Sequence, residues 1–505
     1  MLFALLFALA LLLTAYMKQE EVVFFKWDIA PLTLLLAAAF FALFFVLYHF
    51  KLWEKIPLGR LRILLVSFVL AGGTLWVFMA RNQPFADAGL VYGYAQGFLN
   101  NDFSTIIENY LGHFPYQLSL ALYYELVMRL VGPDCFYFLQ MVNVGCAALA
   151  YLLVTWLAAE LFESPAVQFF CCLLLFGCLP PILFVTFVYG TQIGLTLALL
   201  ALFSALRFLR QRRRRWLLPM LAGMVGAIVI KQNYWIFAIA IIIFFVLDFI
   251  KKPSKTVAAA VAALLAGALL APQAVYWSYE IRSGYEIEAG SPAILHIAMG
   301  MQEGERAPGW FNGYVLKEFD GVTKNYQAAK EQAGKDIAER LATFSKDPAY
   351  AARFYLYKTV SQWSDPTFAS IQVSYFGGLN IPPLGYLPTS LFWGGLRAPV
   401  EGYMEIFLVL IYAGCFACFY FGKKQLSLRA MLPAVVVAGG FFFHLLWEAK
   451  SQYCWPYFVL MVPYAAAGLC CMAQKLEGRV AKRALRKRAP QQGGPGGSSL
   501  QSTAP

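Results

Sequence analysis

Charge is what this sequence has least of. Only 13% of its 505 residues are Asp, Glu, Lys or Arg, about half the share in a soluble domain, while 60% are hydrophobic. A water-soluble fold cannot hide so much apolar surface beneath so few polar side chains, which excludes that class. Histidine is scarce as well: four residues without ligand spacing argue against a His-based metal site. The ten cysteines lie almost entirely inside apolar runs, and the one C-x-x-C, Cys415-Phe-Ala-Cys418, has no second pair, so neither a disulfide framework nor a zinc site is indicated. The start lacks a basic n-region and a small-residue cleavage site before Lys18, so residues 1–17 read as a first membrane helix rather than a leader. No internal repeat is present, which weakens an inverted-repeat transporter reading.

What is there is a series of thirteen apolar runs, roughly 1–17, 29–50, 63–80, 116–131, 135–160, 166–188, 190–208, 216–230, 233–250, 256–278, 403–421, 430–447 and 453–475. Each approaches the ~20 residues that carry a helix across ~30 Å of hydrocarbon, and none alternates as a barrel strand does. The net charge of +12 sits in short stretches between these runs: Lys51 to Arg62, Arg207 to Arg215, Lys251 to Lys255, Lys423-Lys424 and Lys475 to Arg488. That placement is the cytosolic signature of membrane topology and argues against nucleic acid as a partner. Five runs separate Arg62 from Arg207, an odd number, so one of them must be re-entrant or interfacial. Two are suspect: 116–131, which carries Glu125 and Arg129, and 166–188, broken by Pro180-Pro181. The expectation is an all-α polytopic protein of the cell membrane with about twelve crossings and both termini cytosolic.

The organisation follows. Residues 1–278 form an N-terminal bundle with a first extracytoplasmic loop at 81–115; 279–402 form a large extracytoplasmic loop domain; 403–475 return to the membrane; and 476–505 are a basic cytosolic tail. Its end, Ala489 to Pro505, is Gly-, Pro-, Gln- and Ser-rich and reads as disordered. Within the large loop, Lys324 to Leu341 reads as a solvated helix, with Asp347-Pro348 capping the next one.

With that topology, the ionisable residues near the membrane fall on one face. They are Asp87, Asp102 and His113 in the first loop, Lys231 beside Gln232 and Asn233 at a helix hairpin, His296, Glu303, Glu305, Arg306, Lys358 and Asp365, with Trp363 among them, in the large loop region, and Glu448 and Lys450 at the last hairpin. Asp87 follows an apolar helix beside aromatic residues, a setting for a raised pKa and general-base work, though on the residues alone a solvated loop aspartate is the favoured reading. Lys231, flanked by Ile230 and an apolar helix pair, calls for an anion such as phosphate unless it snorkels to the interface.

Several of these segments resemble the GT-C superfamily of integral membrane glycosyltransferases, which includes protein O-mannosyltransferases and lipid A aminoarabinose transferases. The resemblance is carried by the acidic loop around Asp87, by His113-Phe114-Pro115-Tyr116-Gln117-Leu118, and by the helix ending Arg129-Leu130-Val131-Gly132. More narrowly, Met299-Gly300-Met301-Gln302, Pro308-Gly309-Trp310-Phe311-Asn312-Gly313-Tyr314, Gln362-Trp363 with Asp365-Pro366-Thr367-Phe368, and His444 with Trp447-Glu448-Ala449-Lys450 are similar to a Gram-positive bacterial branch of glycosyltransferase-like membrane proteins. The resemblance implies an enzyme that moves a sugar from a polyprenyl-phosphate donor to an extracytoplasmic glycan, glycolipid or protein. Asp87 would be the base, with Asp102 the alternative carboxylate, since Ala88 stands where the O-mannosyltransferases have the second member of an acidic pair. Lys231, Arg306 and Lys450 are the cations on the right side to hold the donor phosphate. His113, Gln117, His296, Trp363, Asp365 and Glu448 are the remaining candidates for substrate contact. No cofactor is required by these residues, and a divalent metal, used by some of the superfamily, stays open. The competing readings are a lipid-linked glycan flippase, which would need polar residues along a path through the bilayer, and an O-antigen-ligase-like or polymerase enzyme leaning on loop arginine and histidine.

Overall fold

The computed structural model describes residues 1–18, 21–107, 109–379, 381–422 and 426–488. Lys423-Lys424 and the Ala489–Pro505 tail, both expected above as cytosolic features, lie outside the described residues. The chain is a helical bundle: α1 (Leu2–Leu12), α2 (Ala30–His49), α3 (Leu58–Ala80), α4 (Ala86–Leu99), α5 (Leu118–Val131), α6 (Phe136–Leu161), α7 (Pro165–Gly177), α8 (Thr191–Gln211), α9 (Leu217–Ile230), α10 (Trp235–Lys251) and α11 (Lys255–Ser283) form the first part. An outer group follows, α12 (Ile294–Gly300), α13 (Tyr314–Gly321), α14 (Tyr326–Lys346), α15 (Pro348–Trp363) and α16 (Ser370–Gly377); then α17 (Arg397–Phe421), α18 (Leu432–Leu446) and α19 (Trp455–Arg488) complete the bundle. One antiparallel pair, β1 (Leu13–Met17) with β2 (Val23–Trp27), is the sheet among the described residues.

Among the described residues nine helices are long and apolar enough to cross a membrane, or ten if α7 and the Pro180–Thr186 segment, bent by 47°, are one span. This is a multi-pass all-α membrane protein, with fewer full-length spans than the twelve expected. Three of the thirteen runs, where one was expected, form no full-length span. Run 1–17 is not one helix: α1 stops at 11 residues and the chain continues as β1, whose backbone groups are satisfied by β2 and, at Ala15, by the Ser364 carbonyl. Run 216–230 yields the 14-residue α9, roughly 21 Å long. Run 116–131 yields α5, and its contacts show where it lies.

Both ends of α5 stay at one end of the bundle. Gln117, just before it, bonds the Tyr189 hydroxyl, while Pro133, just after it, accepts from Tyr92 of α4 at 2.7 Å. Gln140, in the second turn of α6, donates to the Asn82 carbonyl beyond α3 at 3.1 Å. Midway along α5, Glu125 is held by Arg282 at the far end of α11 (3.0 Å), by Tyr279 (2.9 Å) and by Arg129 (3.1 Å). Burial raises the cost of that carboxylate, but these donors outweigh it and hold Glu125 below the usual range. Helix α5 therefore runs alongside α4 across this end, here called the site end. The odd run between Arg62 and Arg207 is thus the first of the two suspects; the proline-broken run traverses, bent.

The opposite end carries the basic loops. Arg207 pairs with Glu160 at 2.7 Å, Arg210 with Glu163 at 3.1 Å, and Arg212 with Asp248. Between the ends, α17 and α19 are in backbone contact, because a side chain on Gly468 would collide with the Gly414 carbonyl at 1.8 Å. In the 279–402 region, α14 has the expected solvated character, and Asp347 caps α15 by accepting from Tyr350 N at 2.9 Å, with Pro348 at the first position. The later part, α15 and α16, is driven into the bundle: Trp363, Phe368 and Ile371 are buried in the same core as α17–α19.

The placement of α5 gives a topology test. Single cysteines replacing Arg81 and Asp134 should both react with a membrane-impermeant maleimide from the same face, and one replacing Arg213 from the other. Labelling of the Asp134 position together with Arg213 would mean that α5 crosses.

Candidate functional site

Three interhelical turns, the segment before α5, the first turn of α4 and one hairpin tip meet at the site end. The α9–α10 turn presents Lys231 in extended backbone before a short 3-10 segment. The α18–α19 turn presents Trp447, Glu448 and Lys450. The turn before α8 brings Tyr189, the segment before α5 brings Tyr116 and Gln117, and the first turn of α4 brings Asp87. The β1–β2 hairpin contributes Glu21, held in the left-handed region at φ 55. Tyr116, Gln117, Tyr189, Lys231, Trp447 and Glu448, with His296 and Tyr453, line a cavity of about 480 Å³; Asp87, Lys450 and Glu21 lie outside its lining. Its wall is apolar where Ile230, Trp235, Ile236 and Phe443 descend into the bundle and polar toward Gln232 and Asn233.

The α18–α19 turn is immobilised by the segments singled out in the sequence for their resemblance. Lys358, without exposed surface, donates to the carbonyls of Gly300 and, at 2.8 Å, Trp447. Ala449 N donates to Gly309 O at 2.8 Å, Trp310 Nε1 to Ser361 Oγ at 2.8 Å, and Gln362 Nε2 to the His444 carbonyl at 3.2 Å. Burial pushes the Lys358 ammonium down to about 7, against the opposing field of Glu448. Gly309 is required here: its φ is +75, and a side chain would meet Gly300 O at 2.6 Å and the Lys358 stem at 2.8 Å.

The cations are treated in two ways. Lys450 and Arg306 share one carboxylate, Glu21, at 3.0 and 2.8 Å. Burial opposes ionisation of Glu21, but the two cations prevail and hold it below the ordinary range. Lys231 forms no ion pair among the described residues; its Nζ donates to Thr191 Oγ1 at 3.1 Å and toward Tyr189 O at 3.4 Å, and lies 4.4 Å from the Tyr189 ring centroid. Burial, then the charge of Lys450, pushes it down to about 8, with Asp87 opposing. Asp87 stands exposed, yet enclosed enough by protein that partial desolvation raises its pKa; Lys450 and the Tyr110 hydroxyl work against that rise, Glu448 and Glu21 with it.

Of the residues expected from sequence, Asp87, Gln117, Lys231, His296, Glu448 and Lys450 come together, with Arg306 at the edge through Glu21. His296 stacks on Trp447 (4.9 Å between centroids) with Nδ1 3.5 Å from Glu448. Four residues lie apart from this group. Asp102 is exposed and accepts from Ser104 N and Oγ at 3.1 and 2.7 Å, a local turn cap rather than a second base. His113 faces α13, with Nε2 2.8 Å from Asp320. Trp363 is buried against Phe441 and Tyr457. Asp365, whose carboxyl burial raises, accepts from Thr367 N, Thr367 Oγ1 and Ala369 N at 2.8–2.9 Å and so stabilises two successive left-handed residues, Phe368 and Ala369. Reading the sequence missed Glu21, Tyr110, Tyr189 and Thr191; Glu21 sits in what looked like the flank of a first helix, and the other three carry no pattern by themselves. Among the described residues no three of His, Cys, Asp and Glu group as a metal would need, and all ten cysteines are free thiols.

Comparison with known proteins finds no matching family model and no matching curated protein. Among solved structures, ArnT from Cupriavidus metallidurans bound to undecaprenyl phosphate is similar over 86% of this chain and 82% of its own, at 14% identity and a TM-score of 0.36.

The clamp on the α18–α19 turn generates a stability prediction. Lys358→Met leaves two buried carbonyls without a donor and should destabilise the detergent-solubilised protein by about 2–4 kcal/mol. Gly309→Ala should cost a comparable amount through collision and strain, both read from thermal unfolding.

Proposed function

We propose that this protein is a glycosyltransferase that transfers a sugar from a polyprenyl-phosphate-linked donor to an acceptor at the site end, which the basic loops at the other end make extracytoplasmic. The observation that carries the reading is Lys231, a half-buried cation lining a cavity whose hydrogen-bond partners are neutral, with the carboxylate of Asp87 near enough for their charges to interact. Nucleotide sugars are confined to the cytosol, so a donor on the opposite side must be lipid-borne, and a cavity walled by Ile230, Trp235, Ile236 and Phe443 on its membrane side suits a lipid chain with a phosphate head.

In the reaction Asp87 takes the proton of the acceptor hydroxyl as its oxygen bonds to the anomeric carbon. The bond from that carbon to the phosphate oxygen breaks, and the electron pair leaves with the lipid phosphate. The negative charge is unchanged overall but becomes more concentrated on the leaving phosphate, where the Lys231 ammonium stabilises it. A base must be ionised to act, and partial desolvation of Asp87 places the acidic limb of the pH–rate profile above the ordinary carboxylate range. Glu21 pairs with both Lys450 and Arg306, one carboxylate shared between two cations, whereas Lys231 is in no ion pair among the described residues and is taken as the principal phosphate contact. Among the described residues no three of His, Cys, Asp and Glu assemble a metal site, and no step is routed through one.

The test is a membrane assay with labelled polyprenyl-phosphate sugars. Asp87→Asn should insert and fold but lose transfer by roughly 10²–10⁴-fold; undiminished transfer would remove Asp87 from the mechanism. Phosphate binding requires a protonated Lys231, so donor affinity should be full well below pH 8 and fall as the pH rises through about 8. Lys231→Met should raise donor KM at every pH and abolish that alkaline limb.

A further inference from the structure

Thr191 and Tyr189 meet Lys231 through three contacts, none of which carries charge. Thr191 Oγ1 accepts at 3.1 Å, the Tyr189 carbonyl lies at 3.4 Å, and the Tyr189 ring lies beneath the ammonium at 4.4 Å. The turn that supplies them is itself fixed. The Tyr189 hydroxyl receives Gln117 Nε2 at 2.6 Å and sits 3.0 Å from the Tyr110 hydroxyl. Gly190 has φ +75, and a side chain there would approach Ile230, the residue before Lys231, at 3.0 Å from its side chain and 3.2 Å from its carbonyl. Thr191 O accepts the Tyr234 hydroxyl at 2.7 Å, which ties the turn to the far side of the Lys231 loop. Lys450, nearby, is held instead by a carboxylate.

We infer that Tyr189-Gly190-Thr191 is a positioning device for Lys231: it fixes the ammonium group with neutral acceptors, so that its charge is left to be neutralised by the phosphate of the ligand. This rests on the reading of Lys231 as the phosphate contact. An ammonium group has three N–H bonds. Two are directed by Thr191 Oγ1 and Tyr189 O, which aims the third, and neutral acceptors orient it without cancelling the attraction a carboxylate would cancel. The small Gly190 allows the cradle to lie against the chain that carries the lysine. The charged groups whose fields reach Lys231 are Lys450 and Asp87.

Binding of farnesyl phosphate to the full-length protein in detergent, with farnesol as the uncharged control, tests the proposal. Thr191→Val keeps the shape and removes the acceptor. It should weaken farnesyl phosphate roughly tenfold, as expected for a lost hydrogen bond to a charged group, and leave farnesol unchanged. An ammonium group that loses an acceptor gives up its proton more readily, so the pH at which binding is lost should move down from that of the wild type. Thr191→Ser should restore both affinity and midpoint. In transfer assays Thr191→Val should raise donor KM more than it lowers kcat, and Gly190→Ala should do the same. Wild-type affinity and pH midpoint in Thr191→Val would overturn the cradle, as would a loss that serine does not rescue. If Lys231→Met itself binds farnesyl phosphate normally, the phosphate reading falls and the cradle with it; if Lys231→Met abolishes binding while Thr191→Val has no effect, only the cradle falls.

Discussion

The ammonium group of Lys358 has no route to water, and the carbonyls of Gly300 and Trp447 take its place. Much of the site end depends on that contact. It joins the end of α12, the middle of α15 and the end of α18, three segments separated by 58 and 89 residues, at one point. From there Gly309 and Trp310 run beside Ala449, and the following turn directs Glu448 toward His296 and Lys450 toward Glu21. A buried amine left without acceptors costs several kcal/mol, so the loops around Lys358 are held in one arrangement.

The same physics governs the other charges, with different outcomes. Glu125 is satisfied by two arginines and a tyrosine and anchors α5 across the end of the bundle. Asp365 is satisfied by three donors of its own turn. Glu21 is satisfied by Lys450 and Arg306. Each is a closed account of polar groups, which makes it architecture. Asp87 and Lys231 are compensated less completely, the first exposed near Lys450 and Glu448 and the second among neutral contacts.

How far the site was legible depends on what each residue needed from its neighbours. Lys231 stood out because an isolated lysine between apolar helices is costly wherever the helices lead. Asp87 was found from its place after an apolar helix. Asp102 looked equivalent, yet its carboxylate is consumed by Ser104 two residues on, a choice set by local backbone geometry. Asp365 and Trp363 resembled site residues because they lie in a polar segment, but that segment turns inward and packs beneath the cavity. Glu21 was hidden by the apolar run 1–17, whose change from helix to strand depends on a partner strand and on Ser364, more than 300 residues away.

The sequence by itself determined that the chain lives in a bilayer, which of its segments are apolar enough to be there, which end carries the basic loops, and that one run between Arg62 and Arg207 could not cross. These follow from composition and from the transfer energy of each segment, quantities that belong to short stretches of chain. Only the tertiary structure decided that α5 is the run that lies across, that Glu21 pairs with both Lys450 and Arg306, and that Lys231 is hydrogen-bonded to neutral groups instead. Those outcomes depend on which groups separated by tens to hundreds of residues arrive within hydrogen-bonding distance, and a buried charge is settled by its partners rather than by its neighbours in sequence.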